Sequence, residues 1–301
     1  MTAQSKTAAA ANRVALVTGA ADRVGAAIAA RLAADGWKVI VHYRASADKA
    51  KATVARIKEA GGEAAAVKAD LANSKQRDRL MAAAAKPFGP LTLLINNASS
   101  FERDAVFDLD EDLWDAHFAV HAKAPAFLSR DFAAQLPADA KGNIINIVDE
   151  RVLDLAPSYF SYTVSKAALW TMTRTLAQSL APRIRVNAIG PGPTVPPPHV
   201  KQADHDRRLK ELPLQDSAGP EGIADGVIAI LGLPTMTGQM ICLDGGEHIE
   251  WPARRGPTPR TPTPSPPQRL ARSRVGGDGT EQDKPRLARS RNAATGQSAK
   301  K

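Results

Sequence analysis

The 301-residue chain is 44% hydrophobic, which suits a large folded domain and excludes a chain that is disordered throughout. Its single cysteine, Cys242, excludes an intrachain disulfide framework and a Cys-x-x-Cys zinc site, and fits a reducing, cytoplasmic setting. The net charge of +9 suggests a nucleic-acid partner, but residues 252–301 hold 12 Lys/Arg and 3 Asp/Glu, so residues 1–251 hold 28 of each. The basic character therefore belongs to the tail.

Both ends of the chain differ from the region between them. Residues 1–12 are rich in Ala and lack the apolar run of a secretion signal, so we interpret them as a flexible leader. Residues 252–301 hold eight prolines and almost no large apolar side chains, which predicts a disordered basic tail. The hexamer RLARSR occurs there twice, at 269–274 and 286–291. No apolar stretch approaches the roughly 18 residues of a membrane-spanning helix, so we expect no membrane partner.

Residues 13–251 alternate short runs rich in Val and Ile with longer Ala-rich stretches of helical period. This pattern predicts repeated strand-helix-strand units, and hence one doubly wound α/β domain with a parallel sheet flanked by helices. Seven strands are predicted, at residues 14–18, 37–43, 64–69, 91–95, 143–148, 184–189 and 239–243.

A glycine-containing turn follows the first predicted strand. Residues 18–25 read TGAADRVG and lead into a predicted helix at 26–34. Backbone N–H groups and the dipole of such a helix attract a pyrophosphate, so the segment predicts a dinucleotide-binding loop. Gly19 permits the turn and Gly25 lets helix and strand pack closely, whereas Arg23 replaces the middle glycine of such loops. An ordinary loop with a solvated arginine is the alternative.

The end of the second predicted strand indicates which dinucleotide binds. Sites selective for NAD place an Asp or Glu there, on the ribose hydroxyls. Here the strand runs through His42 and Tyr43 into Arg44 and Ser46, so a 2′-phosphate would meet a guanidinium and a hydroxyl and no carboxylate. The sequence therefore predicts NADP(H), with a merely solvated Arg44 as the alternative.

Three polar side chains form the candidate catalytic group. Tyr162 and Lys166 lie four residues apart in a segment of helical period, so they share a helix face. An ammonium near a phenol lowers the tyrosine pKa, which suits acid-base chemistry. Asp149 lies 13 residues before Tyr162 at the end of a buried strand, at the sheet edge where α/β folds bind ligands. Incidental Tyr-Lys spacing, and an Asp that caps a turn or pairs with Arg151, are the structural alternatives.

Four motifs together resemble the short-chain dehydrogenase/reductase family: TGAADRVG, the NNAS of residues 96–99, Tyr162-x-x-x-Lys166, and Pro191-Gly192. Their order and spacing are similar to that family over residues 13–251. The resemblance implies a single Rossmann-like domain, hydride transfer with a nicotinamide, Tyr162 as proton donor, and Lys166 on the ribose and beside that tyrosine.

Three departures narrow the resemblance. Arg23 replaces the middle glycine, Asp149 replaces the usual serine, and NNAG becomes NNASSF, ending at Phe101. These features are similar to pteridine reductases and dihydromonapterin reductases. The resemblance implies NADPH-dependent reduction of a pterin, with dihydromonapterin, dihydrobiopterin and folate-like substrates all left open.

The same resemblance assigns roles to residues. Asp149 and Tyr162 would relay a proton to a pterin that lies between Phe101 and the nicotinamide. The substrate contacts would be Arg23, Ser99, Phe101, Asp149 and Tyr162. The cofactor contacts would be Gly19, Arg23, Val24, Gly25, Tyr43, Arg44, Ser46, Asp70, Leu71, Asn97, Ala98, Ser99, Tyr162, Lys166, Pro191, Gly192 and Thr194. The chemistry is consistent, because a flat heterocycle suits an aromatic face and C=N reduction needs a hydride and a positioned acid.

Two features leave the substrate open. His121 stands where the family usually has an asparagine, so it either relays protons or is a hydrogen-bonded polar substitute. The loop PTVPPPHV at 193–200 is unusually rich in proline, which fixes φ.

Two other functions remain as alternatives. Tyr162 and Lys166 would also serve a reductase of a simple carbonyl or a β-ketoacyl thioester. An ionised Asp149 would repel the developing alkoxide, whereas an Asp149 kept protonated by burial would not. An inactive NADP(H)-binding sensor with a nucleic-acid-binding tail is the other, but the tail lacks aromatic residues for base stacking. The family resemblance also implies a homotetramer, and no metal ligand set is expected.

Overall fold

The computed structural model describes residues 13–196 and 200–249. The predictions for the leader at 1–12 and the tail at 252–301 lie outside the described residues, as do residues 197–199 of the proline-rich loop.

The described residues form a sheet of seven parallel strands in the order β3-β2-β1-β4-β5-β6-β7. The strands are β1 (Val14–Val17), β2 (Lys38–Tyr43), β3 (Ala64–Lys68), β4 (Leu93–Asn96), β5 (Gly142–Ile147), β6 (Ile184–Pro191) and β7 (Met240–Leu243). The predicted doubly wound parallel sheet is confirmed.

The strand ends lie within one residue of the prediction except at two ends, which differ by two residues for reasons visible in the hydrogen bonds. Strand β4 begins after Leu91, because the Leu91 N–H donates to the Gln135 side chain at 3.0 Å. Strand β6 continues past Ile189, since Gly190 and Pro191 still pair with β7.

Eight α-helices occur in the described part of the chain. They are α1 (Arg23–Ala34), α2 (Ala47–Glu59), α3 (Ser74–Ala85), α4 (Glu111–Phe118), α5 (Ala124–Gln135), α6 (Phe160–Leu180), α7 (Gln202–Glu211) and α8 (Gly219–Leu231). Side-chain oxygens cap the starts of α1, α3 and α4, from Asp22, Asn73 and Asp110. A π-helical turn, Ala119–Lys123, joins α4 to α5.

The core has two halves because successive strand residues point to opposite faces. In β1, Ala15 and Val17 pack with α1 and α8, whereas Val14 and Leu16 pack with α3, α5 and α6. All four side chains are fully buried. Each fully buried Val or Leu stabilises the fold by roughly 1.5–3 kcal/mol. Burial on both faces makes β1 a rigid support for the turn that follows it.

The strand order reverses between β1 and β4, which are hydrogen-bonded neighbours although β2 and β3 lie between them in sequence. Chains leaving these two strands diverge to opposite faces of the sheet, and the gap at their carboxyl ends is where such folds bind ligands.

Candidate active site

A cleft of about 780 Å³ opens at that point, at the carboxyl ends of the strands. Seventeen of the predicted site residues line it: Gly19, Arg23, Val24, Gly25, Arg44, Asp70, Leu71, Asn97, Ala98, Ser99, Phe101, Asp149, Tyr162, Lys166, Pro191, Gly192 and Thr194. Two predicted cofactor contacts lie outside the lining. Tyr43 packs against the core, and exposed Ser46 precedes α2.

The turn after β1 leaves no room for side chains at its two glycines. Gly19 has a φ of +64°, and a Cβ there would lie 2.9 Å from the Ala98 Cα. A Cβ on Gly25 would lie 2.3 Å from the Gly19 carbonyl oxygen and 2.5 Å from Nδ2 of Asn97. The bare backbone here is a cradle of the kind that accepts a pyrophosphate at a helix start. The close approach of Gly19 and Asn97 to Gly25 agrees with the close packing that the sequence predicts for this glycine.

His42, in β2, holds the backbone of the same turn in place. This role was not predicted from the sequence. Nδ1 of His42 accepts from the Gly19 N–H at 3.1 Å, and its Nε2 lies 3.1 Å from the Ala69 carbonyl oxygen. Because Nδ1 is an acceptor, the proton is on Nε2. Burial lowers the pKa of His42 to about 4, so the ring is neutral at physiological pH. The sequence feature that could have indicated this role is a polar residue inside a strand that is otherwise apolar and buried.

Asn97 joins the end of β4 to the turn after β1. Its Nδ2 donates to the Thr18 carbonyl at 2.8 Å and to the Gly19 carbonyl at 3.2 Å, while its N–H donates to the Thr18 hydroxyl. The side-chain amide nitrogen and the backbone N–H of Asn97 therefore hold the end of β4 against the turn after β1.

Arg23 connects the cofactor end of the cleft to the proline-rich loop. Its backbone has a φ of +54°, in the left-handed region that favours glycine. Its Nη2 donates to the carbonyl oxygen of Val195 at 2.8 Å and to that of Pro196 at 3.3 Å. The guanidinium thus links the turn after β1 to the loop after β6.

The three candidate catalytic side chains meet at the opposite end of the cleft. The Tyr162 hydroxyl donates to Oδ2 of Asp149 at 2.6 Å. Oδ1 of Asp149 accepts from the Arg151 N–H at 3.0 Å, so the turn-capping role also holds. The Lys166 ammonium donates to the Ile147 carbonyl at 2.8 Å. Phenol and carboxylate thus form a hydrogen-bonded pair with the ammonium behind the phenol ring.

The expectation that Lys166 lowers the pKa of Tyr162 is wrong for this arrangement. Burial and the charge of Asp149, which also accepts the phenol's hydrogen bond, raise the pKa of Tyr162 well above its usual value. Burial lowers the pKa of Lys166 to about 8, against the opposing charge of Asp149. Tyr162 therefore holds its proton at neutral pH, as a proton donor must.

His121 is fully buried in the π-helical turn, and both of its ring nitrogens have hydrogen-bond partners. The Ser165 hydroxyl donates to the Tyr162 carbonyl, so it accepts from Nδ1 of His121, at 2.8 Å. Nε2 accepts from the Ser100 N–H at 3.2 Å and lies 2.9 Å from the Ser99 hydroxyl. Burial and the charge of Lys166 lower the pKa of His121, which keeps it neutral. The ring is thus fixed as one tautomer between Ser99 and α6.

An aromatic stack borders the catalytic pair. Phe101 packs against Tyr159 with ring centroids 4.3 Å apart and meets the Tyr162 ring edge-on at 4.7 Å. The Arg151 guanidinium lies 5.0 Å from the Tyr159 ring centroid. Tyr159, at a φ of +59°, was not among the predicted site residues. One face of Phe101 is therefore already covered in this structure.

Comparison with known proteins assigns the family. The family model described as short chain dehydrogenase matches residues 13–208. The chain belongs to the short-chain dehydrogenase family. The resemblance drawn from the four sequence motifs is confirmed, and with it the oxidoreductase class.

Three similar proteins show how varied this family is. A crystal structure titled FolM alternative dihydrofolate reductase 1, from Brucella suis in complex with NADP, is 47% identical, with a TM-score of 0.78 over 80% of this chain and 97% of that chain. An uncharacterized oxidoreductase of Methylorubrum extorquens is 36% identical over 78% of this chain and 97% of its own length. A 3-oxoacyl-(acyl-carrier-protein) reductase of Staphylococcus epidermidis is 31% identical over 79% of this chain and 100% of its own length.

No helix in the described ranges is long and apolar enough to cross a membrane.

Proposed function

We propose that this protein is an NADPH-dependent reductase of a pterin-like heterocycle. The observation that carries the proposal is the 2.6 Å hydrogen bond from Tyr162 to Asp149 beside the ring of Phe101. A phenol paired with a carboxylate offers both a proton donor and an acceptor for ring N–H groups, and a neighbouring aromatic face suits a flat ring.

The cofactor is NADP(H). The backbone cradle at Gly19 and Gly25 fits a pyrophosphate, and exposed Arg44 lines the cleft past the end of β2. A guanidinium there meets a ribose 2′-phosphate, whereas an NAD site would carry a carboxylate. The Brucella suis relative, which was crystallised with NADP, supports this choice.

Bound NADPH supplies the hydride that reduces a C=N bond. The chain's own residues supply the proton, because Tyr162 keeps its hydroxyl proton at neutral pH and holds it 2.6 Å from Asp149. When Tyr162 gives this proton to the ring nitrogen, the resulting phenolate lies near the Lys166 ammonium, 5.7 Å from the ring centroid. The opposite charge of Lys166 stabilises that phenolate. Asp149 lines the cleft, so in this proposal its carboxylate takes up a proton from solvent and passes it along the hydrogen bond to the phenolate.

Asp149 also distinguishes pterin reduction from carbonyl reduction, which is the main alternative function. Reduction of a ketone or a β-ketoacyl thioester develops negative charge on oxygen, which hydrogen-bond donors stabilise. Here the group beside Tyr162 is an acceptor carboxyl that already receives the tyrosine's hydrogen bond. The relatives include ketoacyl reductases, so this contrast rests on the site itself.

The test is NADPH oxidation with a panel of dihydropterins, dihydrofolate, a small ketone and a β-ketoacyl thioester. We expect turnover with the pterin-type compounds and little with the carbonyls. Asp149→Ser should lower kcat/KM for pterins more than for carbonyls. A wild-type preference for the ketone or thioester would overturn the proposal.

We further propose a homo-oligomer, a tetramer by family resemblance, in the cytoplasm. Phe107 and Leu155 are large apolar side chains that are 83% and 71% exposed, and a subunit interface would cover them. Size-exclusion chromatography with light scattering tests the oligomeric state.

A further inference from the structure

Two buried carboxyl groups lie behind the catalytic pair and take no part in the proposed reaction. Glu150, which follows Asp149 directly, begins the 3-10 turn Glu150–Val152 and is 3% exposed. Glu247 begins the turn Glu247–Ile249 after β7 and is 8% exposed. The two turns pack against each other. Burial of two acidic side chains at one place is costly unless they are paired or neutral.

A single guanidinium connects this pair to the wall of the cleft. Arg208, on α7, donates from Nε and Nη2 to Oε1 of Glu247, with Nε at 3.1 Å. The same Nη2 lies 4.0 Å from Oε1 of Glu150. Helix α7 lines the cleft through Asp204, His205 and Arg208. This part of the cleft lining is therefore linked to the two carboxyls.

The hydrogen bonding leaves one oxygen of each carboxyl unsatisfied. Oε2 of Glu150 and Oε2 of Glu247 are buried and have no partner among the residues that the structure describes. Two carboxylates beside one guanidinium also carry an excess negative charge. One proton on the pair removes the excess charge and leaves only one of the two carboxyls ionised.

We propose that Glu150 and Glu247 together hold one proton and, with Arg208, fix α7 at the wall of the cleft. Glu150 is thus a positioning residue for substrate binding. The structural part of this inference is independent of the reaction, while its effect on KM rests on the proposed function.

The surrounding charges favour the protonated form. Burial and the charges of Glu247 and Asp149 raise the pKa of Glu150, and the charges of Arg151 and Arg208 only partly oppose them. Burial and nearby acids, Glu150 among them, also raise the pKa of the Cys242 thiol to about 11, so this thiol stays neutral. Loss of the shared proton would place a second buried anion beside Asp149 and weaken the attachment of α7.

The direct test is the infrared absorption of protonated carboxyl groups in the full-length protein near neutral pH. We expect a protonated-carboxyl band in the wild type that is lost in both Glu150→Gln and Glu247→Gln. Glu211→Gln is the matched control, because Glu211 is on α7 but exposed. A wild type without the band, or a band that survives in both variants, would overturn the shared proton.

Thermal unfolding gives a second readout that needs no substrate. A carboxyl whose pKa is raised in the folded state makes stability fall as pH rises above the ordinary glutamate value. The wild-type Tm should therefore fall by about 3 °C more per pH unit between pH 6 and 8 than that of Glu150→Gln. Equal slopes in the two proteins would contradict the proposal. Should Glu150→Gln not fold, Glu247→Gln serves for the same comparison.

Kinetics test the positioning role. We expect KM for an accepted dihydropterin to rise about threefold more from pH 7 to 9 in the wild type than in Glu150→Gln, because Lys166 titrates in both proteins. The pH dependence of kcat should be the same in both. Identical KM profiles would refute the role of Glu150 in positioning, whereas an enzyme that reduces no pterin but retains the infrared band would refute only the proposed function.

Discussion

The two ends of the cleft are built in different ways. At the cofactor end, backbone groups of one strand-turn-helix segment form the cradle, and His42 and Asn97 hold it from neighbouring strands. At the reaction end, side chains from separate loops and helices meet, with Asp149 after β5 and Tyr162 in α6. Backbone cradles need small residues at fixed positions, whereas the reaction end depends on the identity of each side chain. Substitutions should therefore separate cofactor binding from turnover.

The largest effect is expected at the reaction end. Tyr162→Phe removes the donated proton and keeps the ring, so kcat should fall by about 10²–10⁴-fold while the Kd for NADPH changes little. Steady-state kinetics and fluorescence titration measure the two quantities. Tyr43→Phe is the control, since Tyr43 lies outside the cleft lining. If Tyr162→Phe keeps most of the wild-type turnover, the tyrosine is not the proton donor.

The matching change at the cofactor end is Arg44→Ala. A charged hydrogen bond contributes about 1.5–3 kcal/mol, and the exposure of Arg44 favours the lower value, so the Kd for NADPH should rise about tenfold. The Kd for NADH and the kcat at saturating NADPH should stay near wild type. Arg56→Ala, on the exposed side of α2, is the control. Equal losses for both dinucleotides would mean that another residue binds the 2′-phosphate.

A smaller effect on turnover is expected at His121. His121→Ala leaves the Ser100 N–H and the Ser165 hydroxyl without their buried partner, so kcat/KM should fall about tenfold at most. Because His121 stays neutral, the pH profile between 5 and 7 should keep its wild-type shape. Loss of an acidic limb in the variant would instead show that the imidazole titrates during catalysis.

The smallest effect on turnover is expected at His42, which supports the cradle through its hydrogen bond with the Gly19 N–H. His42→Ala removes the acceptor of the Gly19 N–H and should cost about 1–3 kcal/mol of unfolding free energy. The Kd for NADPH should rise while kcat at saturation is preserved. Urea unfolding and cofactor titration measure these changes. A loss of kcat with unchanged cofactor binding would show that the two ends are not separable.

The sequence predicted the parts of this site that depend on local patterns. Alternating apolar runs placed all seven strands, and the motif spacing placed Asp149, Tyr162 and Lys166 together. The π-helical turn around His121 and the stack of Tyr159 on Phe101 were not predictable, because they depend on contacts between distant segments. The pKa of Tyr162 was predicted in the wrong direction, because burial and Asp149 outweigh Lys166.

The most direct test of the central claim is deuterium transfer, measured by mass spectrometry after incubation with dihydropterin and NADPH deuterated at the nicotinamide carbon. We predict that the wild-type protein produces reduced pterin carrying one deuterium atom per molecule. Over the same incubation time, Tyr162→Phe should produce almost none of this product. Transfer to a ketone or ketoacyl thioester but to no pterin would contradict the account.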